Sequence, residues 1–389
     1  MHHDPLVYTL FLIFSGAALV ATLALYARQA LLVAYILLGV LLGPSVSGLV
    51  DDPLLIKEIG SVGIMFLLFL LGLNMPPAKL LPLLKEATWV TGISSLAFAA
   101  SGFVLAWLLG FALLESVLIG VAVTFSSTII GLKLLPDTVL HHRRTGEIII
   151  SILLVQDVIA IIVLLLLQAT DSGDLPFGNL LLLTASLPAI FGLSYALARF
   201  VLMPLIARFD QIQEYIFLMA IGWCLGISQL AAGLGLSHEI GAFIAGVALA
   251  THPISLFISE RLKPLRDFFL ILFFFSIGAG FDIRMLGEIV IPALLLSALI
   301  LLGKPLLFRF LLRRSGESSG RALEVGVRLG QISEFSLLIA VLALQQAVIG
   351  EQASYLIQLS TLITFMVSSY VIVRRYPTPI AVSDKLRRN

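Results

Sequence analysis

The stretch that most limits what this chain can fold into is Ile148–Leu167, IIISILLVQDVIAIIVLLLL, in which Ser151, Gln156 and Asp157 interrupt an otherwise apolar run. A helix of about 20 apolar residues spans the hydrocarbon core of a bilayer. A carboxylate near its midpoint costs about 2.5–3.5 kcal/mol even on insertion scales. No Lys or Arg lies within a helical turn of Asp157 on its own helix. Whatever neutralises it therefore comes from elsewhere in the chain, or is a bound proton or cation.

Runs of this kind recur along the chain, which is 59% hydrophobic and only 12% charged. Globular domains carry about 25% charged residues. The expected class is an all-α polytopic membrane protein, because the runs are continuous rather than alternating as barrel strands are. A net charge of +1 offers nucleic acid no bulk attraction. One cysteine, Cys224, excludes an internal disulfide framework. The opening Met1-His2-His3-Asp4 lacks the basic region of a signal peptide, so the first run is expected to remain as a span.

Reading the runs against their breakers places about thirteen spans. They fall at 6–26, 30–48, 56–74, 88–109, 112–134 and 146–169, then a longer linking helix at 179–207. The second set falls at 212–232, 236–252, 266–283, 287–310, 322–347 and 351–373. A cytoplasmic tail is expected over 374–389, with no soluble regulatory domain after it unless the sequence is a truncation. Every second connection is basic, from Arg28 through Lys133, Arg143 and Arg144 to Arg374 and Arg375. The alternate ones hold Lys57 and Arg284 beside acids such as Asp51, Asp52, Asp171 and Asp174. The positive-inside rule then puts the N-terminus outside and the C-terminus in the cytoplasm of a cell that keeps the chain in its plasma membrane.

A weak internal repeat appears at an offset of about 208 residues. Gly39 falls opposite Gly246, Gly72-Leu73-Asn74 opposite Gly280-Phe281-Asp282, and Ser126 opposite Ser333 to within a residue. Two sets of six spans flank an unpaired seventh, so equivalent helices run in opposite directions: repeat one over 6–169 and repeat two over 212–373. Inverted repeats are a recurrent plan of secondary transporters. Apolar helices also resemble one another by chance, and that reading stays open here.

Two matched spans are interrupted by polar residues. The fifth holds Thr124-Phe125-Ser126-Ser127-Thr128 and the twelfth Gly330-Gln331-Ile332-Ser333-Glu334. Broken helices at such points expose carbonyls and half-helix ends that hold a cation near the midplane. The competing reading is plain packing, since small hydroxyl residues bond back to their own turn at membrane helix interfaces. Asp157 reads as a carboxylate that binds either a proton or a dehydrated alkali cation, so that the two compete for one site. The bland alternative is a carboxylate paired between helices. Gln156 can orient Asp157 or offer its own carbonyl oxygen to the ion. At the repeat-equivalent place stands Thr364, so the second half supplies no matching acid. Lys304, mid-span before Pro305, wants a carboxylate, for which Asp157 and Glu334 stand at comparable depth; otherwise it snorkels to the cytoplasmic face. Ser333 and Gln331 join Lys304 and Glu334 as the polar members of the second half. Arg328 reads as interfacial, and Glu115 and Glu147 as interface residues near helix starts. His238-Glu239 fails the metalloprotease pattern because Ala242 and Phe243 stand where a second His is needed, and an outer-interface pair is expected instead. No G-x-S-x-G, Walker or dinucleotide fingerprint occurs in a suitable context, so neither a cofactor nor an enzymatic activity is expected.

Taken together, FSSTII (Phe125–Ile130), VQDVIAI (Val155–Ile161), GAFIAGV (Gly241–Val247), FFFSIGAGFD (Phe273–Asp282), Lys304 and GQISEF (Gly330–Phe335) resemble the Kef-like branch of the monovalent cation:proton antiporter superfamily, which includes NapA-type and NhaA-type exchangers. The resemblance covers essentially the whole membrane chain. It implies a homodimer of thirteen-helix protomers, each with a dimerisation domain and a mobile core, crossed broken helices beside the acid, and elevator-like alternating access. The family's ion-binding Asp falls on Asp157, with Ser126, Ser127 and Thr128 beside it. Electrogenic members carry a second acid just before it, where this chain has Gln156; that departure resembles the electroneutral pattern of one proton per Na+ or K+. Lys304 survives without that acid, which leaves an Asp157–Lys304 or Glu334–Lys304 pair open. Kef-type systems also carry a nucleotide-binding regulatory domain, for which this chain offers no segment. A gated potassium efflux protein without its regulatory domain and an organic-anion symporter of the same fold are the alternatives. A channel is disfavoured by the absence of a TVGYG-type filter.

Overall fold

The computed structural model describes residues 5–27, 29, 31–50, 52–73, 77–135, 144–169, 188–209, 212–234, 236, 238–251 and 254–378. Met1 to Asp4, Arg28, Asp51, Asn74, Arg143, Asp171, Asp174, positions 179–187 of the expected linking helix and the tail beyond 378 lie outside them.

Among the described residues the extended elements are helices. They are α1 (Pro5–Tyr26), α2 (Leu31–Leu42), α3 (Pro53–Leu73), α4 (Pro77–Leu108), α5 (Leu113–Thr124), α6 (Thr128–Lys133), α7 (Arg144–Ala169) and α8 (Pro188–Arg208). There follow α9 (Gln213–Gly233), α10 (His238–Ala250), α11 (Ile254–Arg261), α12 (Lys263–Ala279), α13 (Leu286–Arg314), α14 (Ser319–Arg328), α15 (Glu334–Gln345) and α16 (Glu351–Arg375). Seven helices among the described residues are long and apolar enough to cross a membrane, and shorter apolar helices lie in α2, α3, α5, α10, α12 and α15. The expected fifth and twelfth spans are each divided, into α5 and α6 and into α14 and α15.

The two breaks have local causes. After Thr124 the chain turns extended at Phe125 (φ −75°, ψ 146°), and Ser127 restarts it by accepting the Ile130 N–H at 3.1 Å. After Arg328 it leaves the helix at Leu329, and Ser333 (φ −94°, ψ 157°) accepts the Phe335 N–H at 3.1 Å. Both are serine caps that satisfy an orphan donor of a new helix. The correspondence extends to packing. A Cβ at Gly120 would run into the Ala99 carbonyl, and one at Gly326 into the Pro305 carbonyl. Ser127 with Ser333, Gly120 with Gly326 and Ala99 with Pro305 share one separation in sequence, so the contacts align Ser127, rather than Ser126, with Ser333. A side chain from a neighbouring helix closes each break in the same way. Ser126 N–H bonds Gln156 Oε1 at 2.9 Å, and Ile332 N–H bonds Thr364 Oγ1 at 3.1 Å.

The chain forms two compact units. One comprises Met1–Phe14, Leu42–Pro82 and Leu165–Gly280. In it α3 crosses α10 at Gly72 and Gly246, where any Cβ would strike the backbone of the opposing helix, and Phe66 stacks on Phe269 with ring centroids 4.3 Å apart. Small residues let helix backbones approach closely where lipid supplies no hydrophobic drive. The other unit comprises Ser15–Leu41, Leu83–Leu164 and Phe281–Asn389. In it α16 carries a buried polar stripe, including Ser354, Gln358, Thr361, Thr364 and Ser368. Glu115 bonds the Ala112 N–H at 3.2 Å and the Gly350 N–H at 2.9 Å, so one carboxylate caps α5 and holds the turn before α16.

At one end of this second unit, Glu317 takes hydrogen bonds from Arg321 at 2.6 Å and Arg144 at 3.3 Å, which tie the start of α7 to the α13–α14 turn. Burial of the Glu317 carboxyl opposes ionisation, but the two guanidinium hydrogen bonds outweigh it and hold the group below the ordinary carboxylate range. A depressed acid contributes stability above its unfolded value, about 4.3, and loses it as pH falls through the folded value. Glu317→Gln should therefore lower unfolding stability by about 0.5–1 kcal/mol at pH 7, with the gap to wild type closing below the ordinary carboxylate range. Thermal melts across pH measure it, and a gap that widens on acidification would contradict the assignment.

Candidate functional site

All of the sequence-predicted site residues belong to the second unit, and the two helix breaks bring them together. The junction is cross-linked directly. Ser126 Oγ donates to the Leu329 carbonyl at 2.9 Å, and Gln331 Nε2 donates to the Ser127 carbonyl at 3.4 Å. Ser336 Oγ donates to the Ala122 carbonyl, and Ser368 Oγ to Gln331 Oε1 at 2.9 Å. Thr364 and Ser368 were not singled out as site residues. Their spacing of four on one apolar helix is the signal that finds them.

Lys304 is the hub. Its side chain is fully buried, and Nζ donates to the Phe125 carbonyl at 2.7 Å, the Gln331 carbonyl at 2.9 Å and Ser126 Oγ at 3.2 Å. The Phe98 ring lies 5.7 Å from the same ammonium. An ammonium has three donors, and these three acceptors use them all. The expected carboxylate partner is thereby corrected: the charge faces the carbonyl ends of α5 and α14, where the helix dipole favours a cation. Snorkelling is corrected too, because the head group turns into the protein.

Gln156 is likewise a clamp. It spans the α5 break, accepting from Ser126 N–H and donating to the Thr124 carbonyl at 3.3 Å. Two backbone groups orphaned by the break are satisfied by one amide. The neighbouring Asp157 is 2% exposed. Its two oxygens accept the Thr128 hydroxyl at 3.2 Å and 3.1 Å. Glu334, at the start of α15, is close enough for the two carboxylates to interact electrostatically. Among the described residues no Lys or Arg forms an ion pair with Asp157.

Arg328, read from sequence as interfacial, is buried. Its guanidinium donates to Glu324 Oε1 at 3.0 Å, the Leu134 carbonyl at 3.0 Å and the Pro377 carbonyl at 2.9 Å. It lies over the Tyr376 ring at 5.4 Å. One cation thus joins the chain just past α6, the end of α14 and the segment leaving α16, and five donors in a planar fork make that geometry possible. His238 falls in the other unit, exposed and 3.2 Å from Gln229 Oε1.

Lys304→Met would strand two buried carbonyls, and should cost at least about 2 kcal/mol; Thr364→Val, which strands one N–H, should cost about 1–2 kcal/mol. Because Lys304 pairs with carbonyls and not with Asp157, adding Asp157→Asn should not rescue the Lys304→Met protein. Unfolding midpoints of the single and double variants test this, and rescue would restore the ion-pair reading.

Comparison with known proteins follows the same line. Residues 11–374 match the family model of the transmembrane sodium/hydrogen exchangers. The chain is 30% identical over 384 residues to the putative cation/proton antiporter YbaL of Escherichia coli, covering 95% of this chain and 68% of that one. It is 28% identical over 371 residues to the iron transporter MagA of Paramagnetospirillum magneticum, covering 95% and 85%. K(+) efflux antiporter 6 of Arabidopsis thaliana is 27% identical over 93% of this chain, which spans 62% of that longer protein. The fold matches the sodium proton antiporter MjNhaP1 of Methanocaldococcus jannaschii with a TM-score of 0.70 at 18% identity, covering 94% of this chain and 95% of that one. Carrying the all-helical fold of those transporters and their family pattern over nearly its whole length, the chain belongs to the sodium/hydrogen exchanger family of transmembrane cation/proton antiporters.

Proposed function

We propose that the chain exchanges Na+ or K+ for protons, one for one, with Asp157 as the residue for which the two ions compete. The observation that carries this reading is the state of Asp157: a carboxylate 2% exposed that, among the described residues, takes its hydrogen bonds from a single hydroxyl, Thr128. A buried charge so thinly served is neutralised, by a proton or by a cation. Oxygen donors suit a hard alkali cation: the Asp157 carboxylate and the Thr128 hydroxyl that bonds it come first, with Ser126, Ser127 and Gln156 of the adjoining break as further candidates once they exchange their present bonds. The relatives named for K+ efflux and the fold neighbour named for sodium–proton exchange support an alkali cation without choosing between them.

The one-for-one ratio rests on Gln156, which stands where a second acid would sit, and on Lys304, whose protons are committed to helix ends. Loading by either ion removes the charge of Asp157 and lets the unit that carries it pass a hydrophobic barrier; the empty, charged form is held back, which suppresses leak. Having every site residue in one of two compact units supports an elevator-type movement. The matched breaks and their shared glycine contacts support an inverted repeat with thirteen crossings. A homodimer in the cell membrane, N-terminus outside and C-terminus in the cytoplasm, completes the proposal and follows from the family resemblance and the basic connections.

In proteoliposomes with an internal pH dye and a clamped potential, Na+ or K+ should drive proton flux, and Asp157→Asn should abolish it while leaving the melting profile intact. Flux at the wild-type rate from a well-folded Asp157→Asn protein would end the proposal. Gln156→Asp should make transport respond to membrane potential, because a second carboxylate then shares the site. An unchanged voltage response would refute the stoichiometry.

A further inference from the structure

A cavity of about 440 Å³ lies in the first unit between α8 and α10, far in sequence from Asp157. Its origin is local. Pro204 has no N–H to offer the preceding turn, and Ala198–Leu202 widens into a π turn just before it. Ala198, Ala207 and Ala248 put no bulk into the space so opened. π turns of this kind concentrate at functional sites.

The polar groups around the cavity are few and directional. Arg199 and Tyr195 stand one turn apart on α8, with Arg199 donating to the Tyr195 hydroxyl at 3.0 Å. Thr251 lies across from them, one residue past the end of α10, its hydroxyl committed to the Ala248 carbonyl at 2.9 Å. Arg144, Arg284, Arg321 and Arg328 each pair with a carboxylate, whereas among the described residues Arg199 has none. A guanidinium has five donors, so four remain for an anion. The rest of the lining is apolar, namely Ala198, Met203, Pro204, Ala207 and Ala248. Arg199 lies nine residues before Arg208, the last residue of α8, or about 13 Å along the axis. That depth suits a side chain reaching for the headgroup layer from within an apolar face.

We propose that this cavity binds one anionic phospholipid, its phosphate held by Arg199 and Tyr195, and its acyl chains lying along the apolar lining from Met203 and Pro204 to Ala207. A free phosphate would find the same guanidinium but make no use of the apolar lining, so the lipid is the occupant the site fits. Basic clefts between membrane helices recognise lipid headgroups in this way.

Native mass spectrometry of the whole chain, delipidated and then exposed to phosphatidylglycerol or phosphatidylcholine, tests it. Wild type should retain one phosphatidylglycerol in preference to phosphatidylcholine. Arg199→Ala should weaken that retention about tenfold, the loss of one charge-assisted hydrogen bond. Ala248→Leu, which fills the cavity and leaves the charge, should weaken it too, and Arg208→Ala should not. Equal retention by wild type and a folded Arg199→Ala, or by wild type and Ala248→Leu should the first variant fail to fold, would overturn the proposal. So would equal retention of the two lipids. Displacement of phosphatidylglycerol by millimolar inorganic phosphate would give the site to a free anion and overturn the lipid assignment.

Discussion

Inside a bilayer a backbone has no water to bond, so a helix that stops halfway across must find partners for the groups it frees. This chain stops twice, at Phe125 and at Leu329. Nearly every polar side chain at the centre of the second unit answers that demand. Gln156 and Thr364 close the N–H side of the two breaks, Ser127 and Ser333 cap the helices that resume, and Lys304 neutralises the carbonyl ends of the two that stopped. The breaks are thus held by named side-chain bonds on both their N–H and their carbonyl sides.

That economy explains why Asp157 stands apart. Gln156, Ser126 and Ser127 are engaged with backbone, while the Asp157 carboxylate has the hydroxyl of Thr128 and the nearby carboxylate of Glu334. A network whose amide, hydroxyls and ammonium serve the backbone leaves the chemistry to its buried carboxylate. Lys304, which a charge count would pair with it, works instead as a dipole counter-ion for two helix ends. The cation keeps the break intact, and the anion is left for the ion that crosses.

The ends of the broken helices are secured separately. Arg328 reaches the carbonyl of Leu134, just beyond α6, whose first residue Thr128 bonds Asp157, so a six-residue helix is held near both ends. Glu115 and the Arg144–Glu317–Arg321 group tie other turns of the same unit. Buried or partly buried charges here serve to hold chain segments in register around the breaks.

The hydrophobic runs alone determined the helical membrane fold, because a span needs only length and apolarity, and those are properties of consecutive residues. The polar interruptions at Ser126–Ser127 and Gln331–Ser333 were legible for the same reason, as was Asp157, since a carboxylate in a run of Ile, Leu and Val has no bland neighbour to hide among. What each polar group does was not legible. Lys304 and Arg328 took partners that are backbone carbonyls, and every residue carries one, so no side-chain pattern marks which are free. Thr364 and Ser368 act through contacts with residues more than 30 positions away. Only the crossing of the two broken spans decides which carbonyls are orphaned and which side chains reach them.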